Sequence, residues 1–136
     1  MDKRIPRGIR NNNPLNIRVG SSWRGEVDSP TDKDFEQFIS MRWGLRAGFV
    51  LLRRYINRYG LRTIRDIISR WAPASENNTR AYINAVCSLT GRTELEELAF
   101  EDVNTMCNLV WAMAKVETGY ALEFTDIIEA YKMAEV

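Results

Sequence analysis

From Trp43 to the end of the chain, apolar residues recur every three or four positions, and glycine or proline stands wherever that rhythm stops. Such punctuation leaves room for little except a bundle of short helices. Leu45, Phe49, Leu52 and Ile56 form the first stripe, with Arg46, Arg53, Arg54 and Arg58 on other faces and Gly60 placed to end the helix after Tyr59. Thr63 reads as the N-cap of a second helix carrying Ile64, Ile67, Ile68 and Trp71, which Pro73 stops. Residues 79–90 predict a third helix with Tyr82, Ile83, Val86 and Leu89 inward and Gly91 closing it. Residues 93–99 read as an acidic turn or short helix. A long helix over 102–118 and a last one over 124–134, with Phe124, Ile127, Ile128 and Tyr131 on its stripe, complete the pattern.

The first forty residues follow other rules. Gly8-Ile9-Arg10-Asn11-Asn12-Asn13-Pro14-Leu15-Asn16-Ile17-Arg18 cannot be a helix interior, because asparagine side chains compete for backbone hydrogen bonds and Pro14 pushes Asn13 toward extended backbone. Residues 1–21 are therefore an irregular arm and a shaped, asparagine-rich loop. Over 22–40, extended segments at 23–28 and 35–39 flank the turn-rich 29–34, which predicts one small β hairpin, with a bulge because Phe35 and Phe38 fall out of alternation. The expected fold class is mainly α (α+β). At 136 residues the chain is expected to be one domain, able to bury a core without disulfide or metal staples, its helices spanning 43–136.

Composition removes several chemistries. The chain has no histidine, which excludes Ser-His-Asp hydrolases and His-ligated zinc sites, so no metal and no cofactor is expected. Cys87 and Cys107 fall in apolar-periodic segments and read as core residues. With 19 Lys and Arg against 18 Asp and Glu, the net charge is +1 and no nucleic-acid partner is expected. Locally, Lys3, Arg4, Arg7, Arg10, Arg18 and Arg24 make the start basic, and Glu94, Glu96, Glu97, Glu101 and Asp102 make a later stretch acidic. No apolar run approaches the roughly 18 residues of a membrane span, and the N-terminus lacks a signal peptide's apolar region. Cytoplasmic synthesis without membrane insertion is expected.

The remaining chemistry centres on Glu117. Val103, Met106, Val110 and Met113 mark the inner stripe of the 102–118 helix, and the next stripe position is Glu117. Partial burial and the negative end of the helix dipole both disfavour its charged form, which suits a general acid. A surface glutamate or an ion-paired one would carry the same spacing. Asn11, Asn12, Asn13, Asn16, Arg18, Trp23, Asn77, Asn78 and Tyr82 supply the amide, guanidinium and aromatic groups that bind sugars. Each also has a structural use: asparagines in turns or as helix caps, Trp23 and Tyr82 in a core. Glu26, Asp28, Asp34 and Glu36, on or beside the hairpin, are the candidates for a second carboxylate that activates water, and spacing does not choose among them.

The string Arg10-Asn11-Asn12-Asn13-Pro14-Leu15-Asn16-Ile17-Arg18 is followed by Trp23-x-Gly25, Phe35-x-x-Phe38, Gly44-Leu45-Arg46-Ala47, Trp71-Ala72-Pro73 and Glu76-Asn77-Asn78-Thr79-x-x-Tyr82. Together these resemble the phage virion-protein family often called structural protein P5, which is similar to the lysozyme-like glycan-cleaving superfamily. The resemblance implies a circularly permuted lysozyme-like domain, since Ala112-Met113-Ala114-Lys115-Val116-Glu117-Thr118-Gly119 matches a Glu-x-Gly motif that comes late in the chain. It implies a lytic transglycosylase or muramidase acting between N-acetylmuramic acid and N-acetylglucosamine, with Glu117 as acid/base. Its partners would be peptidoglycan glycan strands and other virion proteins, and its place the bacterial cell wall or a phage virion. The alternative is a catalytically inactive virion structural or glycan-binding protein. The chain departs from the family pattern at Leu15, where glycine is usual, and at Val116 and Thr118, where polar His and Asn are usual. Leu15 is expected to change how the loop backbone approaches a sugar.

Overall fold

The computed structural model describes residues 5–135, so Lys3 and Arg4 of the basic arm lie outside the described residues. Helix α1 is a single turn, Arg7–Arg10. Helix α2, Met41–Arg53, starts where the Ser40 hydroxyl accepts from the Trp43 N–H, and it runs on into a five-residue π turn, Arg54–Arg58. Thr63, Asn78 and Asp102 cap α3 (Ile64–Trp71), α4 (Thr79–Thr90) and α5 (Val103–Thr118), each side-chain oxygen accepting an N–H three residues on. Gly119, at φ +78°, ends α5 in the left-handed conformation, and α6 spans Phe124–Glu135. No helix of the described residues is long and apolar enough to cross a membrane.

Helix α5 is the centre of the bundle, with α4 and α6 against it and α2 packed along α6. Met106, Val110 and Met113 are fully buried, as the stripe requires. Three inward assignments are corrected: Leu89, Val103 and Phe124 are 38%, 41% and 38% exposed. Val103 and Phe124 open their helices and Leu89 lies in the last turn of its own, where the neighbouring helix no longer covers the stripe. Residues 93–99 are a turn, tied down by a bridge between Thr63 and Glu97.

The hairpin expected over 22–40 is half of what forms. Over residues 18–40 there are only isolated antiparallel bridges, Arg18 with Phe35 and Glu26 with Phe38. The segment around 34–39 lies between two partners. On one side Val19 N–H donates to the Asp34 carbonyl (3.0 Å) and Glu36 N–H to Ile17 (2.9 Å); on the other, Val27 N–H donates to Gln37 (3.0 Å) and Ile39 N–H to Gly25 (2.8 Å). Side chains satisfy the rest, which is why no long ladder develops: Asp32 Oδ1 accepts from the Asp34 and Phe35 N–H groups, and Gln37 Oε1 from those of Thr31 and Asp32.

This region sits on α2 through two glycines. A Cβ on Gly44 would lie 1.8 Å from the Asn12 carbonyl oxygen, and one on Gly48 would lie 2.4 Å from Leu15 Cδ1. Leu15 itself is fully buried in the main core. Ile17, Phe38 and Ala47 form a second, smaller core beneath the bridged segments.

Candidate functional site

Most of the asparagine loop holds itself together. Asn13 is completely buried: its Nδ2 donates to the Ile17 and Glu36 carbonyls at 2.9 and 3.0 Å, and its Oδ1 accepts from Ile17 N–H at 3.0 Å. Asn12, at φ +52°, donates to the Phe38 carbonyl (3.0 Å), and Asn11 donates to Asp32 (2.9 Å) and accepts from Gln37 (3.2 Å). Asp32 also takes a two-pronged contact from Arg7, both bonds 2.6 Å, and that guanidinium holds its carboxyl well below the usual range.

Asn16 is the loop residue that turns elsewhere. At φ +53°, its Nδ2 reaches Glu117 Oε1 at 2.8 Å, linking the loop to the last turn of α5. The loop comes this close because Gly8 has no side chain; a Cβ there would meet the Asn13 carbonyl and Asn16 Oδ1 at 2.9 Å and Thr118 Cγ2 at 3.2 Å. From α4, the buried Tyr82 donates its hydroxyl to Glu117 Oε2 at 2.9 Å. Burial pushes the Glu117 carboxyl above its ordinary value, and the two hydrogen bonds pull it only part of the way back. Burial first, and then the Glu117 charge, raise the Tyr82 hydroxyl well above the ordinary phenol value, so it stays protonated and remains a donor.

Glu117 lies in the wall of an open cleft of about 670 Å³. Asn16, Arg18, Trp23 and Phe35 line it together with Tyr55, Arg70, Trp71, Glu76 and Asn77. The aromatic groups are braced. Trp71 donates Nε1–H to the Leu15 carbonyl (3.2 Å) and meets Tyr55 edge-on at 5.7 Å, Arg70 lies 5.3 Å over Tyr55, and Arg18 lies 4.8 Å over Phe35. A carboxyl that burial raises above its ordinary value thus faces a cleft of flat apolar rings and hydrogen-bonding groups. It can protonate an oxygen of a ring-containing polar ligand.

The chain is 44% identical over 117 residues to Protein P5 of Pseudoalteromonas phage PM2, an alignment spanning 83% of this chain and 71% of that protein. The chain belongs to the phage P5 protein family. No protein-family model matches it.

In this P5-family member the residues singled out from sequence separate into three groups. Glu117, Asn16, Arg18, Trp23 and Asn77 come together at the cleft, with Tyr82 behind Glu117. Asn11, Asn12 and Asn13 shape the loop, and Asn78 caps α4 with its Oδ1 on Ala81 N–H at 3.1 Å, so these four do not line the cleft. None of Glu26, Asp28, Asp34 and Glu36 lines it either. Glu26 accepts from Trp23 N–H (2.8 Å), Asp34 meets Arg7 (3.3 Å), Asp28 is exposed, and Glu36 is buried beside Glu26. The Leu15 side chain is buried in the core and does not line the cleft.

Tyr55, Arg70, Trp71, Phe35 and Glu76 line the cleft but were not among the candidate binding residues, although Phe35, Trp71 and Glu76 stand in the family motifs. Trp71 offered one clue. It closes the α3 stripe immediately before the Ala-Pro break, where a stripe residue emerges from the bundle, and it is half-buried between core and cleft.

Proposed function

We propose that this protein is a circularly permuted lysozyme-like domain that cleaves the β-1,4 bond between N-acetylmuramic acid and N-acetylglucosamine in peptidoglycan. The observation that carries the reading is the Glu117 carboxyl, raised by burial and held by Asn16 and Tyr82 at the cleft wall. Glu117 protonates the glycosidic oxygen as the bond to the muramyl carbon breaks. The resulting carboxylate then takes the proton of the same sugar's C6 hydroxyl, whose oxygen closes onto that carbon. The product is an anhydro end, and Glu117 regains its proton.

This lytic transglycosylase route is favoured over hydrolysis because the four hairpin carboxylates lie outside the cleft lining. Glu76, exposed on the loop before α4, is the other carboxylate in that lining. Tyr55, Trp71 and Trp23 would stack on sugar faces, with Arg18, Arg70 and Asn77 meeting hydroxyl, N-acetyl and lactyl groups. The setting would be a phage particle or the cell wall of its host.

Mass spectrometry of soluble fragments released from purified peptidoglycan tests the reading. Anhydro-muropeptides from wild type and none from Glu117→Gln are expected. Reducing-end fragments would replace the transglycosylase with a hydrolase, and Glu76→Gln would then be the variant to examine. No fragments from wild type, across several peptidoglycan types, would leave a glycan-binding or structural virion protein.

A further inference from the structure

Away from the cleft, three shallow depressions meet at the exposed Asn57 on the π turn after α2. One is basic, lined by Arg53, Arg54 and Arg58 with no carboxylate. The other two carry Glu101 in common, with Glu97 and Arg62 in one and Glu135 and Arg53 in the other, two carboxylates to one arginine in each. A basic strip and an acidic strip therefore lie side by side, divided along Arg53 and Asn57.

Elsewhere some basic residues are ion-paired and others, such as Arg46, are not. Arg7, Arg42, Arg65, Arg80, Arg92 and Lys132 each meet a carboxylate. Among the described residues Arg53, Arg54, Arg58, Glu97, Glu101 and Glu135 form no ion pair, although they share one face. Arg53 instead donates to the Ala134 carbonyl and lies 5.7 Å over Phe100. An extended polyanion laid on the arginines would run onto the glutamates. A two-fold axis through the dividing line solves this, because it sets each strip over the opposite strip of the other copy.

We infer that the face around Asn57 is a two-fold contact with a second copy of this chain. Arginine is favoured at such contacts because its planar fork binds carboxylates through two bonds. The cleft stays open, since Leu51 and Tyr55 present a different side of the same helix to it. The inference does not depend on the cleft's function.

Sedimentation velocity over a concentration series, at about 0.05 and about 0.5 M salt, reads the contact. Wild type is expected to dimerise at low salt and weaken at high salt. Two charge-reversed variants, Arg54→Glu/Arg58→Glu and Glu97→Arg/Glu101→Arg, are each expected to lose at least about 100-fold in self-affinity, because like charges then face each other. Their equimolar mixture is expected to dimerise again, since reversal on both partners restores opposite strips. Thermal melts establish that both variants fold.

Wild type monomeric at every concentration would overturn the inference. So would variants that dimerise as well as wild type, or folded variants that fail to pair when mixed. A monomeric wild type that retains a DNA duplex, where Arg54→Glu/Arg58→Glu does not, would assign the arginines to nucleic acid instead.

Discussion

Replacing Glu36 by glutamine tests how the bridged segments near the cleft are held. Glu36 is 8% exposed, and burial, together with the charge and hydrogen bond of Glu26, pushes its carboxyl from 4.5 up to about 7. Between those two values the folded chain keeps a proton that the unfolded chain has released. Stability from this group is therefore full below about pH 4.5 and is lost as pH rises through about 7. At 1.36 kcal/mol per pH unit the gap corresponds to about 3 kcal/mol. Glutamine keeps the shape and offers Glu26 an amide donor without titrating. Urea unfolding of both proteins at about pH 5 and about pH 9 measures the effect as a difference between profiles, in which titrations common to both cancel. Relative to wild type, Glu36→Gln should gain about 3 kcal/mol between the two pH values, or a midpoint rise of about 1–3 M urea. Parallel profiles would refute the buried pair, and a relative gain toward acid would refute the sign.

Tyr82→Phe removes a donor that favours the charged form of Glu117, worth about 1.5–3 kcal/mol for a charged acceptor, so the Glu117 carboxyl should rise further above its ordinary value. NMR titration of labelled glutamate reads this directly, and a fall instead of a rise would remove Tyr82 from the site. Gly44→Ala forces a methyl group into the Asn12 carbonyl and should destabilise by about 3 kcal/mol or more in thermal melts; an unchanged melt would refute the close seating of the loop on α2. Arg46→Met removes a buried guanidinium whose Nε has no hydrogen-bond partner and whose charged neighbours are Arg24 and Arg53. It should raise stability by about 1 kcal/mol or more, whereas an equal loss would show that the Trp43 ring, 5.8 Å away, repays the burial.

The helices were legible because their ends are written locally. Ser40 escaped notice as a cap, which moved the start of α2 to Met41, but Thr63, Asn78 and Asp102 stand where capping chemistry needs them, and Gly60, Gly91 and Gly119 follow the ends. The asparagine loop was legible as a loop and not as a scaffold, because its bonds run to Asp32, Glu36, Gln37 and Phe38, more than twenty residues away. The cleft was least legible, since its walls come from residues 16–23, 35, 51–55 and 70–77, and no periodicity relates them.

Glu117 and Tyr82 show how near the sequence came to the site. Each was visible on its own helix, Glu117 as the position where the α5 stripe turns polar and Tyr82 as the start of the α4 stripe. An aromatic ring on an inward stripe carries its hydroxyl to the depth of the facing stripe, and a buried hydroxyl there must find a partner. Only the pairing of α4 with α5 was missing. Residues 91–102 join them, and in the fold the two helices pack together with the first turn of α4 beside the last turn of α5. With that pairing the bond from Tyr82 to Glu117 follows from the two stripes, whereas Asn16, 101 residues from Glu117, required the folded loop itself.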